Sequence, residues 1–182
     1  MRNNQALKPN SFAAAGYESY DSALAMQPRP PSASLTTMTE YVLPTHANVL
    51  DNVFGGQILA WVDLAAAICA QRHTGQMVIT AGVDELSFQK PIKVGQVVLL
   101  TARVTAAFRT SLEILVEVEG EEAKTGARWP CVTAFVTYVA VDGNLSPAPV
   151  PPLGVVTDDE RALFAAAQER RQHRLARRKR AP

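Results

Sequence analysis

The sequence predicts an α+β domain in which an antiparallel β-sheet wraps around one long central helix. Apolar residues recur with helical spacing across residues 56–73, which predicts an amphipathic helix with one buried face. After this helix, four segments alternate apolar and polar residues in the way that half-buried strands do. Short loops join these segments, and short loops favour antiparallel pairing. A sheet with one apolar face needs a partner layer, and the helix is the candidate for it.

The chain begins with a segment, residues 1–37, that is rich in Ala, Ser, Pro and Asn and has no sustained apolar period. Such a composition predicts a mostly disordered leader. Residues 39–43 suit a short first strand, which Pro44 would end. The central helix follows a loop that contains two asparagines, and Gly75 is placed to terminate it.

The strand pattern occupies most of the chain after the helix. In residues 111–119, for example, aliphatic side chains alternate with glutamates. The four predicted strands are residues 78–89, 97–106, 111–119 and 131–141, with a charged hairpin loop at 120–128. They complete a domain over residues 38–145. A Pro-rich linker over 146–156 then leads to a basic C-terminal helix or tail, 157–182, whose start has the pattern of a capping box.

Composition excludes several classes of protein. A chain of 182 residues suits one domain with tails, and it contains no apolar run long enough to cross a membrane. Its start lacks the pattern of a secretory signal, so we expect a cytoplasmic location. Cys69 and Cys131 have no metal-ligand spacing, so no metal site is expected. The net charge of +1 conceals an acidic body and a basic end, because residues 170–182 hold seven of the 18 Lys and Arg.

One carboxylate stands out within the central helix. Asp63 lies four residues after Leu59 and three before Ala66, so it shares their apolar stripe. Burying a carboxylate is unfavourable unless something compensates, which makes Asp63 a candidate for acid–base chemistry. The helix starts at Gly55-Gly56 with no Ser, Thr or Asp to cap it, so its first amides are free to hold a polarised carbonyl.

The segment from His46 to Asp63, with Gly55-Gly56 in it, resembles the acyl-CoA thioesterases of the hotdog fold. Three further segments match that family in order, namely residues 78–84, 94–98 and 107–114, so that the resemblance covers about residues 38–142. It implies a hotdog fold, here with a C-terminal helical tail, and the hydrolysis of fatty acyl-CoA to free fatty acid and coenzyme A.

The resemblance also implies roles for individual residues. Asp63 would be the general base or nucleophile, and the Gly55 and Gly56 amides the oxyanion hole. An asparagine of the preceding loop would assist, with Asn48 preferred over Asn52. Coenzyme A, which is substrate and product rather than a cofactor, would contact two segments comprising Ala81, Gly82, Val83, Arg109, Thr110, Ser111 and Leu112.

The family resemblance further implies an assembly. A single hotdog domain leaves a sheet edge unpaired, so a homodimer is the minimum, with the active site at the seam between two chains. A trimer of dimers, a homohexamer, is the expected higher assembly. No membrane partner is expected, and a nucleic-acid partner is unlikely.

Alternatives remain open at the level of the sequence. A hotdog hydratase or dehydratase would need His46 paired with a carboxylate, and a non-enzymatic acyl-CoA-binding regulator would use the basic tail on DNA. For the tail itself, Arg170, Arg171 and Arg174 could reach the phosphates of coenzyme A. Otherwise it is a solvated or nucleic-acid-binding segment, or a disordered solubilising end.

Overall fold

A 20-residue helix and a five-stranded antiparallel sheet form the body of the molecule. The computed structural model describes residues 26–180, without the side chains of Glu85 and of residues 178–180. Two short 3-10 helices, Pro31–Ala33 and Pro44–His46, flank the first strand. In chain order the main elements are β1 (Thr36–Tyr41), α1 (Gly55–Thr74), β2 (Met77–Phe88), β3 (Val97–Ala107), β4 (Ser111–Glu122), β5 (Ala127–Val141) and α2 (Asp158–Arg180).

The strands lie in the order β1-β3-β4-β5-β2, and every neighbouring pair is antiparallel. This confirms the predicted architecture of an antiparallel sheet with one long central helix. Strands β3 to β5 follow one another through short connections, as the alternating pattern predicted. The two strands that flank α1 in sequence, β1 and β2, form the two edges of the sheet.

The core lies between α1 and one face of the sheet. Alternate residues of β4, such as Leu112, Ile114 and Val116, are fully buried against the helix. On the helix, several of the buried positions are small, which lets the backbone approach the sheet closely. These positions are Ala65, Ala66, Cys69 and Ala70, alongside the larger Trp61 and Val62. The helix ends where predicted, because Gly75 has a φ of 68° that favours glycine.

The prediction of a disordered leader is wrong for residues 26–37, while residues 1–25 lie outside the described part of the chain. Thr36 already pairs with Ala102, so β1 begins three residues earlier than the predicted strand. Arg29 donates a hydrogen bond of 2.8 Å to the carbonyl of His73 at the end of α1. Contacts with distant residues order this polar segment, and such contacts leave no periodic signal in the sequence.

The segment predicted as a linker, residues 146–156, packs along the domain rather than away from it. Ala148 and Val150 are buried, and the Val150 amide donates to the carbonyl of Arg109 at 3.1 Å. The predicted hairpin loop at 120–128 is also shorter, because β4 continues to Glu122 and β5 begins at Ala127.

The tail is a helix rather than a disordered solubilising end over the described residues 158–180. Helix α2 begins with the predicted capping box, since the Glu160 amide donates to Thr157 Oγ1 at 3.1 Å and the Glu160 carboxylate accepts from the Thr157 amide at 3.0 Å. It lies on the face of the sheet opposite α1, because its Arg170 contacts Glu113, which alternates along β4 with the core residues Leu112 and Ile114. No helix within residues 26–180 is both long and apolar enough to cross a membrane.

Candidate active site

The first turn of α1 offers unsatisfied amide groups at the surface. Phe54 occupies the N-cap position, and no side chain caps the helix there. The Phe54 carbonyl accepts the amides of Gln57 and Ile58 at 2.8 and 3.2 Å. The Gly55 and Gly56 amides precede these first helical hydrogen bonds and therefore have no acceptor within the helix. The predicted oxyanion-binding position therefore has the required donors, and they carry the positive end of the helix dipole.

Aromatic rings lie over both glycines. A β-carbon added at Gly56 would be 2.5 Å from the ring of Phe54, and one at Gly55 would be 3.3 Å from the ring of Phe88. Both rings are more than half exposed in the single chain. The glycines thus give room to these rings, and a larger residue at Gly56 would force Phe54 to move.

Asp63, two turns into the same helix, is half-buried and held by two hydroxyl groups. Its Oδ1 accepts hydrogen bonds from Tyr138 Oη at 2.7 Å and from Thr80 Oγ1 at 3.0 Å. Thr80 and Tyr138 face each other across strands β2 and β5, so one cross-strand pair supplies both donors. No hydrogen bond of the described residues uses Oδ2, which is therefore the carboxylate oxygen available for chemistry.

The Tyr138 hydroxyl is a permanent donor. Burial raises its pKa well above the ordinary value of 10.0, and the hydrogen bond to Asp63 raises it further. Sequence reasoning missed both Thr80 and Tyr138. The sequence did contain one signal for Tyr138. It is a hydroxyl-bearing residue at a core-facing position of an apolar strand, between Val136 and Ala140.

The two candidate asparagines have different environments in the loop before α1. Asn48 Oδ1 accepts the amides of Leu50 and Asn52 at 2.9 and 3.3 Å, which fixes its side chain and leaves its NH₂ group as the donor still to be used. Asn52 Oδ1 is buried without a hydrogen-bond partner in the described part of the chain. Asn48 is thus an oriented donor, and Asn52 is an unpaired acceptor.

His46 is placed against Trp61 rather than against the carboxylate. Its Nδ1 accepts the Leu43 amide at 3.3 Å, and its ring meets that of Trp61 edge-on at 5.1 Å. The structure over residues 26–180 shows no hydrogen bond between His46 and Asp63. Within the described residues of one chain, His46 is therefore not paired with Asp63, as the hydratase alternative would require.

The predicted coenzyme A contacts fall on two places at one end of the sheet, separated by β5. Ala81, Gly82 and Val83 lie on the edge strand β2, and Ala81 is the extra residue where the pairing register shifts between Thr80 and Gly82. The second place is the turn before β4 and its first residues. Val139 of β5 pairs with Ile79 of β2 on one side and with Ser111 of β4 on the other. The two contact regions therefore lie at the same level along the strand direction.

The turn before β4 presents side chains rather than main-chain groups. The carbonyls of Arg109 and Thr110 already accept the amides of Val150 and Ala140, while the Arg109 side chain is exposed. Leu112, by contrast, is fully buried in the core of an interior strand. Leu112 thus offers a ligand less than its neighbours do, because its side chain lies in the core and its main chain pairs with β3 and β5.

Two comparisons with known proteins decide the family. Residues 50–127 match the family model of the thioesterase superfamily. The uncharacterized acyl-CoA thioester hydrolase YkhA of Bacillus subtilis is 35% identical over 146 residues, which are 80% of this chain and 85% of that protein. The chain belongs to the acyl-CoA thioesterase family. This membership confirms the family predicted from the motifs between His46 and Ile114.

Solved acyl-CoA thioesterases share the fold. A hexameric acyl-CoA thioesterase is 37% identical with a TM-score of 0.80, covering 83% of this chain and 97% of that one. An acyl-CoA hydrolase from Staphylococcus aureus, in complex with butyryl coenzyme A and coenzyme A, is 31% identical with a TM-score of 0.78, covering 84% and 93%. The hotdog architecture is thus confirmed.

Longer relatives contain a matching region. Acyl-coenzyme A thioesterase 11 of Mus musculus is 36% identical over 138 residues, which are 76% of this chain and 23% of that protein. The chain therefore spans about a quarter of the length of this thioesterase.

Proposed function

We propose that the protein hydrolyses fatty acyl-CoA to a free acid and coenzyme A. The observation that carries this proposal is the Asp63 carboxylate, held through Oδ1 by Tyr138 and Thr80 with Oδ2 left free, on a helix that starts with two uncapped glycine amides. Thioester hydrolysis requires a base and an oxyanion site. Because Asp63 lies seven residues beyond Gly56, about 10 Å along α1, the two are proposed to meet from different chains of a dimer. The proposal invokes no metal and no cofactor.

The chemistry can follow two balanced routes. In the first, Asp63 takes a proton from water while the water oxygen bonds to the thioester carbon, and the carbonyl oxygen gains negative charge beside the Gly55 and Gly56 amides. The tetrahedral intermediate then breaks its carbon–sulfur bond and releases the coenzyme A thiolate, which takes up a proton. In the second route, Asp63 attacks the carbonyl carbon itself, and water hydrolyses the resulting anhydride.

Solved variants of a related hydrolase support the residue assignments. Three structures of the Staphylococcus aureus acyl-CoA hydrolase carry alanine in place of an aspartate, an asparagine and a threonine. The sequence separations of those three positions are the same as those of Asp63, Asn48 and Thr80 in this chain. This correspondence favours Asn48 over Asn52 as the assisting amide, and it adds Thr80 to the proposed site.

The proposed active enzyme is an assembly of several chains. The loop before α1 exposes Val49 completely and Leu50 by 72%, and the rings of Phe54 and Phe88 over the two glycines are also more than half exposed. Exposed large apolar side chains of this kind indicate a surface that another chain or a ligand covers. We propose a homodimer in which the strand segments around Gly82 and Thr110 of one chain complete the site at Asp63 of the other. The proposed higher assembly is a trimer of dimers, and the solved hexameric acyl-CoA thioesterase supports the number of chains.

The proposed setting is the cytoplasm, in fatty acid metabolism. One rat relative, 31% identical over 79% of this chain and 38% of its own length, is named as a cytosolic acyl coenzyme A thioester hydrolase. The name supports the location for this chain by similarity.

The test is a free-thiol assay across acetyl- to palmitoyl-CoA with the wild type, Asp63→Asn and Asp51→Asn. We expect Asp63→Asn to lower kcat by about 10²- to 10⁴-fold, the usual contribution of a general base. Asp51 is the matched control because it is exposed and has a φ of 56°, which asparagine tolerates. Hydrolysis by Asp63→Asn at the wild-type rate would contradict the proposal.

A further inference from the structure

Strand β2, which carries the proposed coenzyme A contacts, is weakly fixed within its own sheet. It is an edge strand, so it pairs within the chain only with β5. Its register with β5 shifts between Thr80 and Gly82 and again between Asp84 and Ser87. The three residues from Gly82 to Asp84 are thus a short paired segment between two irregularities, and edge segments of this kind open easily.

A basic side chain of α2 holds this short segment from outside the sheet. Arg174 Nη1 lies 2.5 Å from Asp84 Oδ2 on β2 and 3.2 Å from Glu113 Oε2 on β4. The side chains of Arg174 and Asp84 are 16% and 14% exposed, and that of Glu113 is fully buried. Arg174 therefore bridges the edge strand to an interior strand, passing over β5.

A second arginine of α2 anchors the interior end of this bridge. Arg170 donates to Glu113 Oε1 at 2.7 Å and to Oε2 at 3.2 Å, and its guanidinium lies 3.7 Å from the ring of Phe135. The Thr105 hydroxyl also donates to Glu113 Oε1, at 2.8 Å. Glu113 is thus fixed without Arg174, whereas Asp84 has only Arg174 and the looser, exposed Arg177 at 3.5 Å among the described residues.

The difference between the two arginines decides their roles. Both dock α2 on the sheet, but Arg174 alone joins Glu113 to Asp84. Losing it would leave the Asp84 carboxylate, 14% exposed, with only the looser contact to Arg177, and would remove the link between Asp84 and Glu113. Losing Arg170 weakens the docking of α2 without freeing β2.

We propose that Arg174 is a positioning residue for substrate binding, which acts through Asp84 to hold the Gly82–Asp84 segment of β2 in place. The inference rests on the proposed function for its kinetic consequence, since residues 81–83 are proposed to contact coenzyme A. The bulge at Ala81 lies between this segment and Thr80, so the hydrogen bond from Thr80 to Asp63 is retained when the segment moves.

The experiment compares Arg174→Gln, Asp84→Asn and the control Arg170→Gln in the full-length protein. Each variant loses charge-assisted hydrogen bonds of this network, and the control leaves Asp84 with its partners. We expect Arg174→Gln and Asp84→Asn to raise KM for acyl-CoA by about two- to thirtyfold with kcat changed less, because mutations along a coupled network have effects of that size. Arg174→Lys, which keeps the charge, should restore part of the affinity.

Amide hydrogen exchange supplies a readout that does not depend on catalysis. Exchange should become faster at Gly82–Asp84 in Arg174→Gln and Asp84→Asn and stay as in the wild type in Arg170→Gln. An equal rise in KM for Arg170→Gln, or exchange at Gly82–Asp84 that stays at wild-type protection in Arg174→Gln, would overturn the inference. Absence of any thioesterase activity in the wild type would overturn the proposed function instead, and the exchange result would still decide the role of Arg174.

Discussion

At the scale of single residues, the site depends on how one carboxylate is oriented. Asp63 has Oδ1 fixed by Tyr138 and Thr80, so the free Oδ2 has a defined direction. An orienting hydrogen bond of this kind contributes to catalysis through geometry, since the base must lie close to the proton that it removes. The spacing of apolar residues along α1 was sufficient to single out Asp63 as a candidate. The two hydroxyl donors depend instead on strand register, which residue spacing does not reveal.

Replacing Tyr138 tests the orienting role. We expect Tyr138→Phe to lower kcat by about tenfold with a smaller change in KM. It should reduce the free energy of unfolding by about 1 kcal/mol, because the hydroxyl that is shared between Asp63 Oδ1 and the Asp63 carbonyl is lost while the ring is kept. Steady-state kinetics and thermal unfolding measure the two effects. Tyr41→Phe, at a residue 55% exposed on β1, is the control and should change neither.

His73 makes the stability of the fold depend on pH. It is fully buried, burial lowers its pKa from 6.5, and its Nε2 lies 3.1 Å from the carbonyl of Pro151, to which the neutral ring donates. Since the unfolded state binds a proton more readily, the stability contributed by the neutral ring is complete above pH 6.5 and falls as the pH drops below that value.

Thermal midpoints between pH 5 and pH 8 check this expectation for His73. The midpoint of the wild type should fall on acidification from about pH 6.5, the unperturbed pKa of histidine. In His73→Gln it should fall less, whereas the exposed His173→Gln should behave as the wild type. Parallel curves for all three proteins would contradict the expectation.

At the scale of elements, periodic patterns predicted the parts of the fold that pack by alternation. The helix and the strands from β2 to β5 were within a few residues of their observed bounds. Residues 26–37 were not predicted correctly, and for the tail the helix and its capping box were predicted but its packing on the sheet was not. Single contacts order both segments, such as Arg29 with the end of α1 and Arg170 with Glu113. Long-range pairs of this kind, including Thr80 with Tyr138, produce no periodic pattern in the sequence.

The β4–β5 hairpin provides a test at this scale. Gly120 lies opposite Trp129, and a β-carbon at Gly120 would be 2.5 Å from the indole ring. We expect Gly120→Ala to reduce the free energy of unfolding by about 1–3 kcal/mol, the usual cost of overpacking. Chemical denaturation measures it. The control is Gly143→Ala, where an added β-carbon has no neighbour within 4 Å, and equal stabilities for the two variants would count against this account.

At the scale of the whole molecule, the exposed apolar side chains around the site indicate that one chain is not the complete enzyme. Ile79 on the edge strand is 48% exposed, and Phe54 and Phe88 are more exposed still. We expect sedimentation of the wild type to give a hexamer. Ile79→Lys should dissociate it into smaller species and reduce hydrolysis, because edge charges prevent strand pairing.

A matched surface change separates assembly from charge alone. Leu145→Lys places the same charge at a residue that is 62% exposed in the turn after β5. It should leave both the mass and the activity as in the wild type. A monomeric, fully active Ile79→Lys would show that a single chain suffices.

The bulge at Ala81 separates two parts of β2 that have different proposed tasks. Thr80, on one side of the bulge, helps to orient the carboxylate, whereas Gly82 and Val83, on the other side, belong to the proposed ligand contacts. An extra residue between them lets the outer half of the strand shift while the inner half keeps its register. We therefore expect substitutions at Gly82 and Val83 to change the binding of acyl-CoA more than turnover, whereas a change at Thr80 would alter turnover directly.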